Sequence, residues 1–436
     1  MTLVETVRES PGAAVVFAST LVAVMGVSLV SPALPAIQRA WGISESEASL
    51  LISAFTLPGI FLTLPIGVVT DRVGRKPVLL VSLVAFGVSG GAIVAVSGFA
   101  VILGLRAIQG AAASAITTLT VTLLGDLFSG ERRRVLIGAN AAVLAIGAAG
   151  YPILGGLLAS ISWAVPFACF LLALVVAVPG FVFLEEPDRE GGRDSRQDRE
   201  GGRDSRQDRE GGRDSREEGR DGDGGVARDG ADAGLRAFVT GPTSMRPFVT
   251  LYAAVFAVFV VLFGAQLTAV PFVLDDTYRL SSRGIGLLLG IPAVTMGLTA
   301  TQGDRILRAL SSYQSIALGL ASYGVGLVVV ALADSIGTVV GGLLLFGVGQ
   351  GLAEPIADTA LTELAPEEVR GSVVSVRTTV LQLATTVGPP LFVGSAAVVG
   401  YHRTLLGGGV AVLVVGLSWF VYRTGRSRSP SGRVSD

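Results

Sequence analysis

Gly67-Val68-Val69-Thr70-Asp71-Arg72-Val73-Gly74-Arg75-Lys76-Pro77 is the stretch that decides the fold. It stands between two long apolar runs, Ser49 to Val69 and Val78 to Val96. A charged turn this short makes the flanking segments lie side by side. Gly67 and Gly74 permit close approach and backbone conformations closed to other residues. Asp71, Arg72, Arg75 and Lys76 cannot sit in hydrocarbon, so the turn lies at a water boundary. Its excess of positive charge marks that boundary as the cytoplasmic one.

Working outward from the turn, half of the 436 residues are hydrophobic and only 15% are charged, with a mean hydropathy of +0.65. A soluble protein of this composition would leave far too much apolar surface in water, so the chain belongs in a bilayer. The net charge of −1 says little, because the charges are clustered. The lone cysteine, Cys169, excludes an internal disulfide. No separate cleavable signal precedes the first apolar run, which is long enough to span.

Six apolar segments precede residue 185, at roughly 13–35, 48–69, 78–97, 99–123, 135–158 and 163–184. Six more follow a polar gap, at about 248–272, 283–302, 313–332, 336–361, 373–397 and 403–422. Each covers about 30 Å of hydrocarbon at ~1.5 Å per residue. With the N-terminus inside, the cytoplasmic loops carry Arg72, Arg75, Lys76, Arg132, Arg133, Arg134, Arg305, Arg308, Arg370, Arg423, Arg426 and Arg428. The outer loops hold Arg39, Arg279, Arg283 and Arg403, so both termini are expected in the cytoplasm.

Residues 188–245 differ in kind. A decapeptide, Arg-Glu-Gly-Gly-Arg-Asp-Ser-Arg-Gln-Asp, begins at Arg189, repeats at Arg199, and has a degenerate copy at Arg209. Such a segment cannot offset its ordering entropy and is expected to be disordered. Its opposite charges nearly cancel, leaving no basic stripe for nucleic acid, so it reads as a tether and not a regulatory arm. The expected organisation is a six-helix bundle over 1–187, this linker, a second bundle over 246–425, and a cytoplasmic tail over 426–436.

The pattern Gly-x-x-x-Asp-Arg-x-Gly-Arg-Lys-Pro, placed between the second and third segments, resembles the equivalent loop of the major facilitator superfamily of secondary transporters. The halves echo each other: Leu105-Arg106-Ala107-Ile108-Gln109-Gly110 in the fourth segment answers Phe346-Gly347-Val348-Gly349-Gln350-Gly351 in the tenth. The resemblance implies an all-α membrane protein of twelve transmembrane helices in two six-helix bundles. Substrate would sit between the halves, which rock to alternate access. It further implies that Asp71 faces the positive end of segment eleven and Arg75 pairs with Asp126, latching the outward-facing state. In the second half Ala300 replaces the glycine corresponding to Gly67, so the matching latch there is weaker.

Two further motifs attach to residues. Arg106-x-x-Gln109-Gly110 resembles a signature of proton-coupled members. A charge at a helix centre costs about 2.5–3.5 kcal/mol on insertion scales, so Arg106 is expected to face the cavity or a partner; an outward-snorkelling arginine is the alternative. Gly147-Ala148-Ala149-Gly150-Tyr151-Pro152-Ile153-Leu154-Gly155-Gly156 is similar to the antiporter signature, with Tyr151 in place of a glycine. It implies export, with the fifth segment pressed on the eighth.

Coupling needs a group in the cavity that exchanges protons. Met25-Gly26-Val27-Ser28-Leu29-Val30-Ser31-Pro32 in the first segment contains no acid. Glu354 and Asp358 in the tenth do better: four residues apart, they share a face and disfavour each other's ionisation. The family arrangement would place that face near Arg106; location at the cytoplasmic boundary is the alternative. Gln266 and Asn140 are weaker polar candidates. The only histidine is His402, and no metal-ligand spacing, nucleophile–base pair or phosphate loop is present. No enzyme activity, cofactor or metal is expected.

The sequence therefore reads as a proton-coupled exporter of small organic or drug-like compounds, a monomer in a prokaryotic cell membrane. An importer or facilitator of a sugar, organic acid or other metabolite is the alternative, and a transporter-shaped sensor a third reading.

Overall fold

The structure, a computed structural model, describes residues 10–186, 246–366 and 369–426. The linker expected over 188–245, and the tail of 426–436 beyond Arg426, lie outside the described residues. Among the described residues the secondary structure is entirely helical.

Twelve helices account for nearly all of it. In the first half they are α1 (Pro11–Trp41), α2 (Glu45–Val73), α3 (Arg75–Ala92), α4 (Phe99–Leu127), α5 (Gly130–Ala159) and α6 (Val165–Phe183). In the second half they are α7 (Pro247–Asp276), α8 (Ser282–Ala300), α9 (Ser312–Ala331), α10 (Ile336–Leu364), α11 (Arg370–Val399) and α12 (Tyr401–Arg426). Eleven are long and apolar enough to cross a membrane; in α12 the described apolar stretch is Tyr401–Leu417. A short helix, Gly303–Ala309, fills the connection after α8.

Local sequence sets the helix starts. Ser44 and Glu47 form a reciprocal capping box at α2, and Ser311 and Gln314 do the same at α9. Prolines set the irregularities. Pro32 and Pro35 have no N–H to donate, and α1 breaks between Ser28 and Leu34 into a tightly wound turn. In α7, Val261–Ala269 is a π-helical stretch running into Pro271, a local widening of the kind found at working sites. Neither irregularity follows from hydropathy.

The halves meet along two seams, α2 on α11 and α5 on α8. On the first, Ser53 Oγ donates to the Thr386 carbonyl at 2.9 Å and the Thr56 and Thr386 hydroxyls meet at 3.1 Å. On the second, Gly156 faces the Ser282 carbonyl and the Gly286 backbone. These contacts belong to the end of the molecule that also carries Arg39 paired with Asp275, and Tyr401 Oη donating to Glu45 at 2.7 Å. At the opposite end, where the Gly74 turn lies, Gly67 and Gly297 face open space. Among the described residues, these side-chain hydrogen bonds and this ion pair between the halves all lie toward the first of these ends.

Candidate transport site and gates

Arg106 is 0% exposed. Its Nε donates to the Leu51 carbonyl at 3.0 Å, one Nη to the Gly26 carbonyl at 2.8 Å, and the other to Gln109 Oε1 at 2.7 Å. The guanidinium also lies 4.4 Å from the Phe55 ring centroid. It therefore ties α1, α2 and α4 together inside the first half. This corrects the expected placement beside the acids of α10: the charged groups around Glu354 are Asp358 and Arg377, and Arg106 is not among them. Lipid and protein core are equally apolar, so the sequence could not say which way the arginine turns.

A lysine could not reproduce this fork of donors. Both Arg106→Met and Arg106→Lys are expected to lower stability by roughly 2–4 kcal/mol. Thermal unfolding in detergent checks this; unchanged midpoints would contradict the structural role.

In the second half, Asp358 takes a bidentate pair from Arg377 on α11, with Nε to Oδ1 at 2.8 Å and Nη to Oδ2 at 2.6 Å. Arg377 also stands 5.9 Å from the Phe259 ring on α7. Glu354 is partly buried one turn earlier and accepts from Gln350 Nε2 at 3.2 Å. Among the described residues no cationic side chain is in ion-pair contact with it. Two acids on one helix face thus have different partners. Sequence reasoning missed Arg377, although its position inside an apolar run is the signal already used for Arg106. Gln266 is buried in the π-helical stretch of α7, its Oε1 without a hydrogen-bond partner among the described residues. Asn140 accepts from the Thr20 hydroxyl at 2.6 Å, bridging α5 to α1.

At the turn, Gly74 adopts φ +111°, a conformation that side chains resist. The space beside it is filled by Glu186, whose oxygens accept from the backbone N–H groups of Arg75 at 2.6 Å and Lys76 at 2.8 Å. That carboxylate supplies the start of α3 with acceptors that glycine cannot offer. Arg75 pairs with Asp126. Asp71 does not meet α11 in this state: its side chain is 71% exposed and its ionic contact is Arg75 at 4.0 Å. The expected meeting of Asp71 with the start of α11 is therefore not seen among the described residues.

In the glycine-rich motif of α5, Gly147 packs against the Tyr151 ring, while the Pro152 carbonyl lies against Gly286 of α8. Gly155 makes room for the Leu29 carbonyl at the break in α1, and Gly156 for α8. Tyr151, standing where a glycine was expected, turns back along its own helix and leaves the crossing to the flanking residues.

The profile of the Major Facilitator Superfamily matches residues 16–274 and 251–435. The chain belongs to that superfamily. Its long apolar helices are those of a multi-pass membrane protein of that superfamily. Among curated relatives, the bacillibactin exporter of Bacillus subtilis is 34% identical over 34% of this chain and 38% of the relative. The multidrug efflux protein YfmO of Bacillus subtilis is 31% identical over 39% of this chain and 43% of the relative. The matched stretches thus span only about two fifths of those relatives. Among solved structures, a bacterial homologue of the human lysosomal transporter Spinster, in an inward-facing unoccupied conformation, superposes with a TM-score of 0.73. It covers 97% of this chain and 98% of that chain at 15% identity, a likeness of fold alone.

Proposed function

We propose that this transporter exports small organic or drug-like compounds in exchange for protons, working by alternating access. The observation that carries this reading is the unequal partnering of the two acids on α10. Asp358 is neutralised by a bidentate arginine, whereas Glu354 is left with an amide. A carboxyl with no direct ion-pair partner can lose and regain a proton within the cycle, and so exchange it for substrate. The glycine-rich motif of α5 and the two exporter relatives support the outward direction.

The basic residues at the Gly74 end support a cytoplasmic placement for that end. With the links between the halves lying away from that end, we read the state as closed to the outside and open to the cytoplasm, the state in which an exporter collects its cargo. One proton crossing 100 mV supplies about 2.3 kcal/mol, enough for roughly 50-fold expulsion of a neutral solute. The chain acts as a monomer with a tethered pair of halves, and the linker over 188–245 is that tether.

The test uses inside-out vesicles acidified within and loaded with a pH-sensitive dye. Adding lipophilic cations, antibiotics, sugars and organic acids in turn is expected to release protons for a drug-like compound. Release only for sugars or organic acids, or silence with a held gradient, would contradict the reading.

The same cycle assigns a role to the exposed Asp71. When the cytoplasmic end closes, Asp71 meets the start of α11, where the helix dipole favours an anion. Asp71→Asn and Arg75→Ala are expected to slow turnover about fivefold to tenfold with ligand affinity unchanged. Flux and binding measured on the same preparation check this; normal flux in both variants would sink the latch.

A further inference from the structure

The breaks in α1 and α7 meet each other. Pro271, which has no N–H, follows closely on the π-helical stretch of α7 that contains Leu267. The hydroxyl of Ser31, from the other half, donates to the Leu267 carbonyl at 2.5 Å. Ser31 is 0% exposed, so its hydroxyl has no water to fall back on. The turn that carries Ser31 exists because Pro32 and Pro35 interrupt α1, and it is wound by Val30 N–H to the Val27 carbonyl and Ala33 N–H to the Val30 carbonyl. It is backed from behind by α5, where Gly155 admits the Leu29 carbonyl. Three sequence features on three helices thus aim one hydroxyl at one carbonyl across the seam.

We propose that Ser31 is a positioning residue of the outer gate: its hydroxyl bonds the Leu267 carbonyl in the widened stretch of α7, and it joins the two halves only while the outer end is closed. The inference rests on the alternating-access reading. Opening the outer end pulls α1 from α7 and breaks this bond. Ser31 therefore biases the transporter toward the inward-open state in which cytoplasmic cargo is collected. The pair also differs in kind from Arg39–Asp275, whose arginine is 56% exposed and screened by salt.

The experiment places spin labels at Ser160→Cys and Asp334→Cys, on exposed loops of the two halves at the outer end, in a Cys169→Ala background. The full-length protein is reconstituted in liposomes. The wild type is expected to show a major short distance and a minor long one. Ser31→Ala is expected to raise the long-to-short ratio roughly fivefold, and Ser31→Thr to restore it. An unchanged ratio in Ser31→Ala would overturn the role of Ser31 and leave alternating access standing. A wild type that never leaves the short distance, at any pH or with any transported compound, would overturn alternating access and the proposal with it. Flux adds a second readout: Ser31→Ala should alter the maximal rate and the apparent KM together, and Ser31→Thr should return both.

Discussion

Glu354→Gln is expected to abolish proton-driven transport while leaving the protein folded and able to equilibrate substrate downhill. Glutamine matches the shape of glutamate and can keep the contact with Gln350, so packing changes little. What it removes is the ability to carry and release a proton. A permanently neutral group lets the halves rock without moving charge, so counterflow of labelled substrate continues while its dependence on the proton gradient disappears. Substrate-driven proton release is expected to fall at least about tenfold, a loss worth ~1.4 kcal/mol or more of coupling. Asp358→Asn makes the contrast. It strands Arg377 beside the Phe259 ring without its carboxylate, so loss of stability is expected to accompany any loss of flux. Proton exchange unchanged in Glu354→Gln would remove Glu354 as the carrier and leave Asp358 as the candidate.

Gly286→Val is expected to open the outer end permanently. A Cβ at Gly286 would fall against the Pro152 carbonyl oxygen and lie 2.9 Å from the Gly156 Cα. Both obstacles are backbone, so α5 and α8 must separate. Overpacking of this kind costs about 2 kcal/mol, which shifts the balance between the two access states roughly 30-fold. The fold of each half survives, because this seam joins the halves and not the helices within one of them. Gly290→Ala should be milder, since its obstacle is chiefly the flexible Ile153 side chain, and Gly297→Ala should be silent, since it faces open space. Labelling of outer-end cysteines by an impermeant reagent ranks the three; equal labelling in all would contradict the crossing as a gate.

The sequence made the helices legible because a bilayer demands long apolar runs, and the charged turn and basic loops give those runs an order. The Arg75–Asp126 pairing and the meeting of α5 with α8 could be anticipated because short motifs with fixed spacing carry them. The facing of individual polar groups could not. In water an amphipathic helix shows its buried face by its pattern, but a membrane helix meets apolar surroundings on both sides. Arg106 therefore pointed to a partner without naming it, and the three acceptors proved to be two backbone carbonyls and Gln109. Arg377 was passed over beside the more visible acids. The Ser31–Leu267 bond depends on the irregular stretches beside Pro32 and Pro271, each proline readable alone, but only the packing of α1 on α7 brings them together. Asp71 shows a different limit. Its motif describes a cycle, and a single state displays only one side of it.

The most direct test of the account is a pair of distances measured in one preparation. One spin-label pair spans the outer end, at Ser160→Cys and Asp334→Cys. The other spans the Gly74 end, at Glu131→Cys and Arg308→Cys. Alternating access predicts reciprocal change as pH or a transported compound is varied: the outer pair lengthens as the inner pair shortens. Substrate crossing the membrane while both distances stay fixed, or lengthen together, would contradict it.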